Sequence, residues 1–228
     1  MKKVFLGLVL TTTVALSTKA QVYVQGGLNL ANISKTNDGQ TEKNNILPSF
    51  NVGILGRLEL APMFELESGL LLTGHGSKAE TYFNSGNYTK TKFNPIYLQV
   101  PLNAVVKIPL EKNSNVFFHA GPYVAMGIGG KSTREDRYLG ITSNASSSIK
   151  FSNDDPFTSQ QDDAAYDKLK RFDFGLNFGG GFQFKHVILK ANYGLGLAKI
   201  NSTQSNNTAN DKNKYRTLSF SVGIPLGK

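Results

Sequence analysis

Residues 171–184 read Arg-Phe-Asp-Phe-Gly-Leu-Asn-Phe-Gly-Gly-Gly-Phe-Gln-Phe. Phe172, Phe174, Leu176, Phe178, Phe182 and Phe184 share one parity, and Asp173, Gly175, Asn177, Gly179, Gly181 and Gln183 share the other. Side chains on a strand point alternately to opposite faces, so this stretch predicts a strand with one greasy and one small, polar face. The same period recurs in residues 22–33, 50–60, 64–73, 93–108, 116–130, 189–197 and 215–227, giving eight segments. In the fourth, for example, Ile96, Leu98, Val100, Leu102, Ala104, Val106 and Ile108 oppose Tyr97, Gln99, Asn103 and Lys107.

The connections alternate in length. Polar loops are expected over 34–45, 74–92, 131–170 and 201–214, with short links at Ala61-Pro62-Met63, 109–115 and Lys185-His186. An up-and-down meander produces this alternation when one end faces a confined compartment and the other faces open solvent.

The placement of charge bears on which face meets lipid. Arg57, Glu59, Glu65, Glu67, Lys107, Asp173 and Lys190 all share the polar parity. A soluble lipocalin-type barrel would also segregate its charges. Here, however, the greasy face is a nearly unbroken series of Leu, Val, Ile and Phe, and the other is crowded with Gly, Ser, Asn and Gln. A lipid-facing Lys or Arg costs about 2–4 kcal/mol at the bilayer midplane. An eight-stranded barrel has an interior that side chains just fill, which rations bulk inside. The expected fold is therefore all-β, an eight-stranded antiparallel up-and-down transmembrane β-barrel with short periplasmic turns and long extracellular loops.

If Leu60 stands opposite Phe64 across the Ala61-Pro62-Met63 turn, Glu59 faces Glu65 and Arg57 faces Glu67. Like charges so placed need an intervening cation or proton. Lys107 and Lys190 are the inward cations at hand. The expectation is a lumenal polar network of Arg57, Glu59, Glu65, Glu67, Lys107, His119, Asp173 and Lys190 that plugs the barrel.

Composition narrows the setting. The chain has 228 residues, 39% of them hydrophobic, which suits a folded domain. Met1-Lys2-Lys3, an apolar run from Val4 to Leu10 and Thr18-Lys19-Ala20 read as a signal peptide cleaved after Ala20. Residues 1–20 are thus expected to be removed and 21–228 to form the barrel domain. Lys2, Lys3 and Lys19 supply three of the net +9 charges, leaving +6 on the mature chain, which suits anionic headgroups rather than nucleic acid. The absence of cysteine removes disulfides and thiolate chemistry.

Candidate chemistry is sparse. Residues 125–132, Ala-Met-Gly-Ile-Gly-Gly-Lys-Ser, fall one glycine short of a phosphate loop and lack a following helical period. His75, His119 and His186 have no ligand spacing, with His119 expected inside, His75 near the outer rim and His186 in a periplasmic turn. His75, Ser77 and Glu80 form the one local hydroxyl, histidine and carboxylate group, set among loop glycines. Asp154-Asp155 and Asp162-Asp163 offer carboxylate pairs for a divalent cation beside lipopolysaccharide phosphates, although solvated loop charges are the commoner explanation. No catalytic residue, cofactor or metal site is expected.

Gly26-Gly27-Leu28-Asn29, the Glu65 to Ser77 stretch ending Leu72-Thr73-Gly74-His75-Gly76-Ser77, Tyr97-Leu98-Gln99-Val100-Pro101-Leu102, Ala120-Gly121-Pro122-Tyr123, Asp173-Phe174-Gly175 and Tyr193-Gly194-Leu195-Gly196 together resemble the PorT-type outer membrane β-barrel family over nearly all of the mature chain. That resemblance implies a Gram-negative outer membrane barrel, in a family whose name-giving member is linked to type IX secretion. One departure is the ending Pro225-Leu226-Gly227-Lys228, where such barrels usually carry an aromatic assembly signal. The expected role is a non-porous scaffold displaying surface loops. The alternatives are a secretion accessory and an outer membrane hydrolase or acyltransferase. Expected partners are outer membrane lipid and lipopolysaccharide, the barrel assembly machinery and, through the loops, secretion-system or surface proteins.

Overall fold

The computed structural model describes residues 20–37, 40–43, 46–83, 86–110, 114–152, 168–198, 200 and 213–226. The strands are β1 (Ala20–Asn37), β2 (Gln40–Lys43), β3 (Leu47–Ala61), β4 (Phe64–Gly74), β5 (Ser77–Tyr82), β6 (Tyr88–Pro109) and β7 (Asn115–Tyr138). They continue as β8 (Ile141–Ser148), β9 (Lys150–Ser152), β10 (Lys168–Lys170), β11 (Phe172–Gln183), β12 (Ile188–Gly196) and β13 (Lys214–Leu226).

Eight of these form a closed ring. In turn β1, β3, β4, β6, β7, β11, β12 and β13 each pair antiparallel with the next, and β13 returns to β1. Ring neighbours follow one another along the chain, which is the up-and-down order. Closure leaves no ring strand with an unpaired edge.

Both parities fall as the alternation predicts. Ile54 is 54% exposed and Val124 60% exposed on the outer wall, whereas Arg57 and Glu67 inside are 1% and 0% exposed. The outer wall also carries Leu28, Val52, Leu70, Leu102, Phe118, Phe178, Phe220 and Ile224, all exposed. So large an apolar surface is the mark of a wall that meets hydrocarbon.

The predicted loops need correction. Residues 131–138 continue β7, which turns at Leu139-Gly140 into β8, and residues 74–92 contain the β5–β6 hairpin. Residues 34–45 likewise include the end of β1 and its hairpin partner β2. These extensions are polar on both faces because they lie beyond the greasy belt, so the alternation that marks a strand inside it is missing. Leu139 and Gly140 both have positive φ, 49° and 82°. That geometry matches the twist of a two-residue hairpin turn, easily in glycine and with strain in leucine. Ile149, β9 and β10 then fold back over the barrel mouth, with β9 and β10 pairing in parallel. Residues 1–19 of the expected leader and the aspartate pairs at 154–155 and 162–163 lie outside the described residues.

At the opposite end the links are short. Ala61 pairs with Phe64, so Pro62-Met63 is the turn and a bulge absorbs Leu60. Arg57 stands opposite Glu67 and Glu59 opposite Glu65. The anticipated three-residue turn is therefore two residues long, while the charged pairs keep the anticipated partners.

Close strand packing explains the inward glycines of β11. A Cβ at Gly181 would run into the Leu189 carbonyl and the Phe117 ring, and one at Gly179 would meet the Ala191 carbonyl and His119. Gly181→Ala is expected to destabilise the barrel by about 1–3 kcal/mol, the usual penalty of overpacking. Urea unfolding in detergent micelles would measure it, with outward-facing Gly26→Ala as the control, because its Cβ would have no atom within 4 Å.

Candidate functional site

The site is the filled lumen, and it is built in three layers. Nearest the short turns, Tyr23, Leu55, Leu71, Val105, Phe117 and Ile188 form an apolar cluster. Six of the eight ring strands each give this layer one inward residue, and Gly181 of β11 leaves room for the Phe117 ring. Arg57 threads through it, its guanidinium 4.1 Å from the Phe117 ring centroid and 5.4 Å from that of Tyr23. Cation–π contact lets a charged group share space with aromatic rings.

Glu67 is the hub. It accepts from Arg57 Nε at 2.8 Å, Tyr23 Oη at 2.8 Å and Asn103 Nδ2 at 3.0 Å, and it also pairs with Lys190 Nζ. These donors come from β3, β1, β6 and β12, so one carboxylate ties together strands from across the barrel. Arg57 also donates to Gln183 Oε1 at 2.9 Å, and Gln183 donates to Gln21 Oε1 at 2.8 Å. A buried carboxylate surrounded by four donors offsets its lost hydration through charge-assisted hydrogen bonds. Glu65 pairs separately with Lys107 at 2.6 Å, nearer solvent.

The middle layer is an amide ladder. Gln25 donates to Asn51 Oδ1 at 2.9 Å, Asn51 to Asn29 Oδ1 at 2.7 Å and Asn29 to Thr73 Oγ1 at 2.8 Å. Ser221 donates to Asn51 Oδ1 at 2.9 Å. The free space here is a cavity of about 40 Å³, bordered by Gln25, Asn51, Gln99, Asn177 and Asn192 among others. One water needs about 10–15 Å³ by this kind of measure, so the space suits a few waters.

The third layer closes the mouth. Ile33, Tyr97, Tyr123, Ala125, Ile149, Leu169, Ile200 and Tyr215 cluster there, with Phe93 and Phe151 packed against them. The Phe151 ring occupies the space a Cβ at Gly127 would need. Asp173 accepts from Tyr123 Oη at 3.0 Å.

Of the residues expected in one lumenal network, Arg57, Glu67 and Lys190 meet directly. Glu65 and Lys107 form their own pair. His119 is buried and bonded through Nε2 to Asn192 Oδ1 at 2.9 Å, and Asp173 belongs to the mouth layer. Glu59 departs from the expectation. It is exposed, because it lies beyond the Arg57 layer where the lumen opens at the short-turn end.

His75 also departs. It is 4% exposed inside the barrel, its ring 5.4 Å from Tyr97 and 5.0 Å from Tyr215, with Nδ1 3.2 Å from Thr217 Oγ1. Glu80 is held on the hairpin outside by Tyr82 at 3.1 Å and Lys78 at 3.5 Å, contacts that lower the pKa of its carboxyl. His75, Ser77 and Glu80 therefore do not converge into the group read from their spacing. Sequence reasoning missed the roles of Tyr23, Asn103 and Phe117. Their inward parity was visible, but alternation cannot show which distant strands face one another across the lumen.

Residues 16–202 match the family described as outer membrane protein beta-barrel domain. No curated protein matches the chain. Among solved structures, Ail of Yersinia pestis, in complex with the heparin analogue sucrose octasulfate, is 12% identical with a TM-score of 0.36, covering 92% of this chain and 100% of its own. Neisserial surface protein A is 12% identical with a TM-score of 0.41, covering 90% and 97%. The N-terminal β-barrel domain of Pseudomonas aeruginosa OprF is 10% identical with a TM-score of 0.30, covering 91% and 98%.

Proposed function

This chain belongs to the outer membrane protein beta-barrel domain family, and we propose that within the outer membrane it serves as a non-porous scaffold that holds strand hairpins above the bilayer. The observation that carries this reading is the Glu67 hub, with Arg57 and Phe117 filling the lumen around it, all three no more than 1% exposed. A transport pathway needs a continuous wet route, and apolar and aromatic layers lie on both sides of the amide ladder. Beyond the belt extend the β1–β2 hairpin and the hairpins β5–β6 and β7–β8, the last two joined side by side through β6 and β7. A rigid sheet on a rigid barrel suits presentation to surface proteins or lipopolysaccharide.

In this reading the short turns, the start of β1 and the end of β13 face the periplasm. The leader is cleaved after Ala20, leaving Gln21 to begin the mature chain, and the assembly machinery inserts the barrel. Reconstituted in planar bilayers, the full mature chain is expected to give no stable conductance steps. Regular single-channel openings would overturn the non-porous reading.

The PorT-type motifs in the sequence favour a second role, as an accessory of protein secretion. Deleting the gene and assaying the culture medium for secreted proteins separates the two. A general loss of secretion would favour the accessory role, and normal secretion the scaffold.

A further inference from the structure

The outer wall is not evenly studded. On β11 and β12 the outward positions Gly180 and Ala191 stand side by side in the sheet, with Phe118 on one flank and Phe220 on the other. One row nearer the short turns, Phe182 pairs with Leu189 and Leu189 with Val222. One row away from them, Phe178 pairs with Tyr193. Two small residues thus form a floor with bulky neighbours on both flanks and in the adjoining rows. The depression runs on past Phe220 and Val222 to Gly26, and its volume is about 700 Å³.

Its setting determines what can fill it. The groove is continuous with the lipid-facing wall and lies at the end of the barrel carrying the short turns and both chain ends, hence in the periplasmic leaflet. Its rim is Phe118, Phe182, Leu189, Phe220 and Val222, with no charged side chain reaching outward. A wall dent left unfilled would forfeit dispersion contacts on both sides, and the surrounding medium supplies flexible hydrocarbon of the right width. We propose that this groove is a binding site for an acyl chain of a periplasmic-leaflet phospholipid. A bound chain lies across Gly180 and Ala191, held between Phe118 and Phe220, and exchanges more slowly than the lipids around the rest of the wall. The proposal rests on the outer membrane location and the orientation given above.

The chain contains no tryptophan, so a single introduced indole reports one site without background. Phe118→Trp places it on the groove rim. Phe64→Trp places it on another wall near the same end, at a comparably exposed position, 55% against 57%. Each full-length variant is reconstituted in vesicles of dioleoylphosphatidylcholine mixed with increasing fractions of its dibrominated counterpart, and folding is checked by heat-dependent gel mobility. The groove indole is expected to reach half-maximal quenching at a several-fold lower brominated fraction than the control indole. Adding Ala191→Phe to the Phe118→Trp chain fills the floor and is expected to bring the two curves together. Matching curves before that substitution would overturn the site. So would a groove indole shielded from bromine while crosslinked dimers accumulate, because a second copy would then be the occupant. If neither indole is quenched, the membrane reading fails along with the groove.

Discussion

Glu67→Ala is expected to lower the unfolding free energy of the barrel by about 3–5 kcal/mol, the range for removing one partner of a buried ion pair. The substitution would strand Arg57 and Lys190 with no counter-charge in a layer where Arg57 is 1% exposed, and would also free Tyr23 and Asn103. Urea titration in detergent micelles, followed by the shift between folded and unfolded bands on unheated gels, would measure the loss. Glu65→Ala is the informative comparison. Its partner Lys107 has an 18% exposed side chain and can recover water, so removing that carboxylate is expected to cost no more than about 1 kcal/mol. Similar losses at the two positions would mean that the Glu67 hub is not the tie that its geometry indicates. Combining Glu67→Leu with Lys190→Met and Arg57→Leu should recover much of the stability, since an apolar replacement for a buried charged group is often tolerated better than half of it.

Ile54→Arg, at the centre of β3 on the outer wall, is expected to cost about 2–4 kcal/mol in a bilayer. In a water-soluble barrel a charge at a position 54% exposed to solvent would fall within about 0.5 kcal/mol of neutral. The variant therefore tests what the greasy parity touches. Refolding yield and unfolding midpoint in phospholipid vesicles provide the measurement. A wild-type midpoint for Ile54→Arg would defeat the membrane assignment, whatever else the fold retained.

The fold was legible because the belt imposes a strict rule. Every strand crossing hydrocarbon must be greasy on one side, and a narrow lumen must be small or polar on the other, so residues 171–184 could serve as a template for all eight. Where that rule lapses, legibility lapses with it. Residues 131–138 and 141–148 pair as strands, yet their outward faces meet water and carry no greasy parity. The site was legible only in part for a different reason. Arg57 opposite Glu67 follows from counting across a two-strand turn, whereas Lys190 reaching Glu67 spans 123 residues and depends on the ring closing.

The division between what was readable along the chain and what required closure follows from range. Alternation is a local property, repeated every two residues, so the eight ring strands, most of their inward charges and the outer membrane setting are written in the order of residues. Which inward groups meet depends on the number of strands, their stagger and the radius at which the sheet closes. Those quantities put Glu67 among four donors, turned His75 inward onto Tyr97 and Tyr215, and left Glu59 outside in water. They also set Gly180 beside Ala191 with a phenylalanine on either flank, so the groove in the wall belongs to the assembled cylinder and to no one strand.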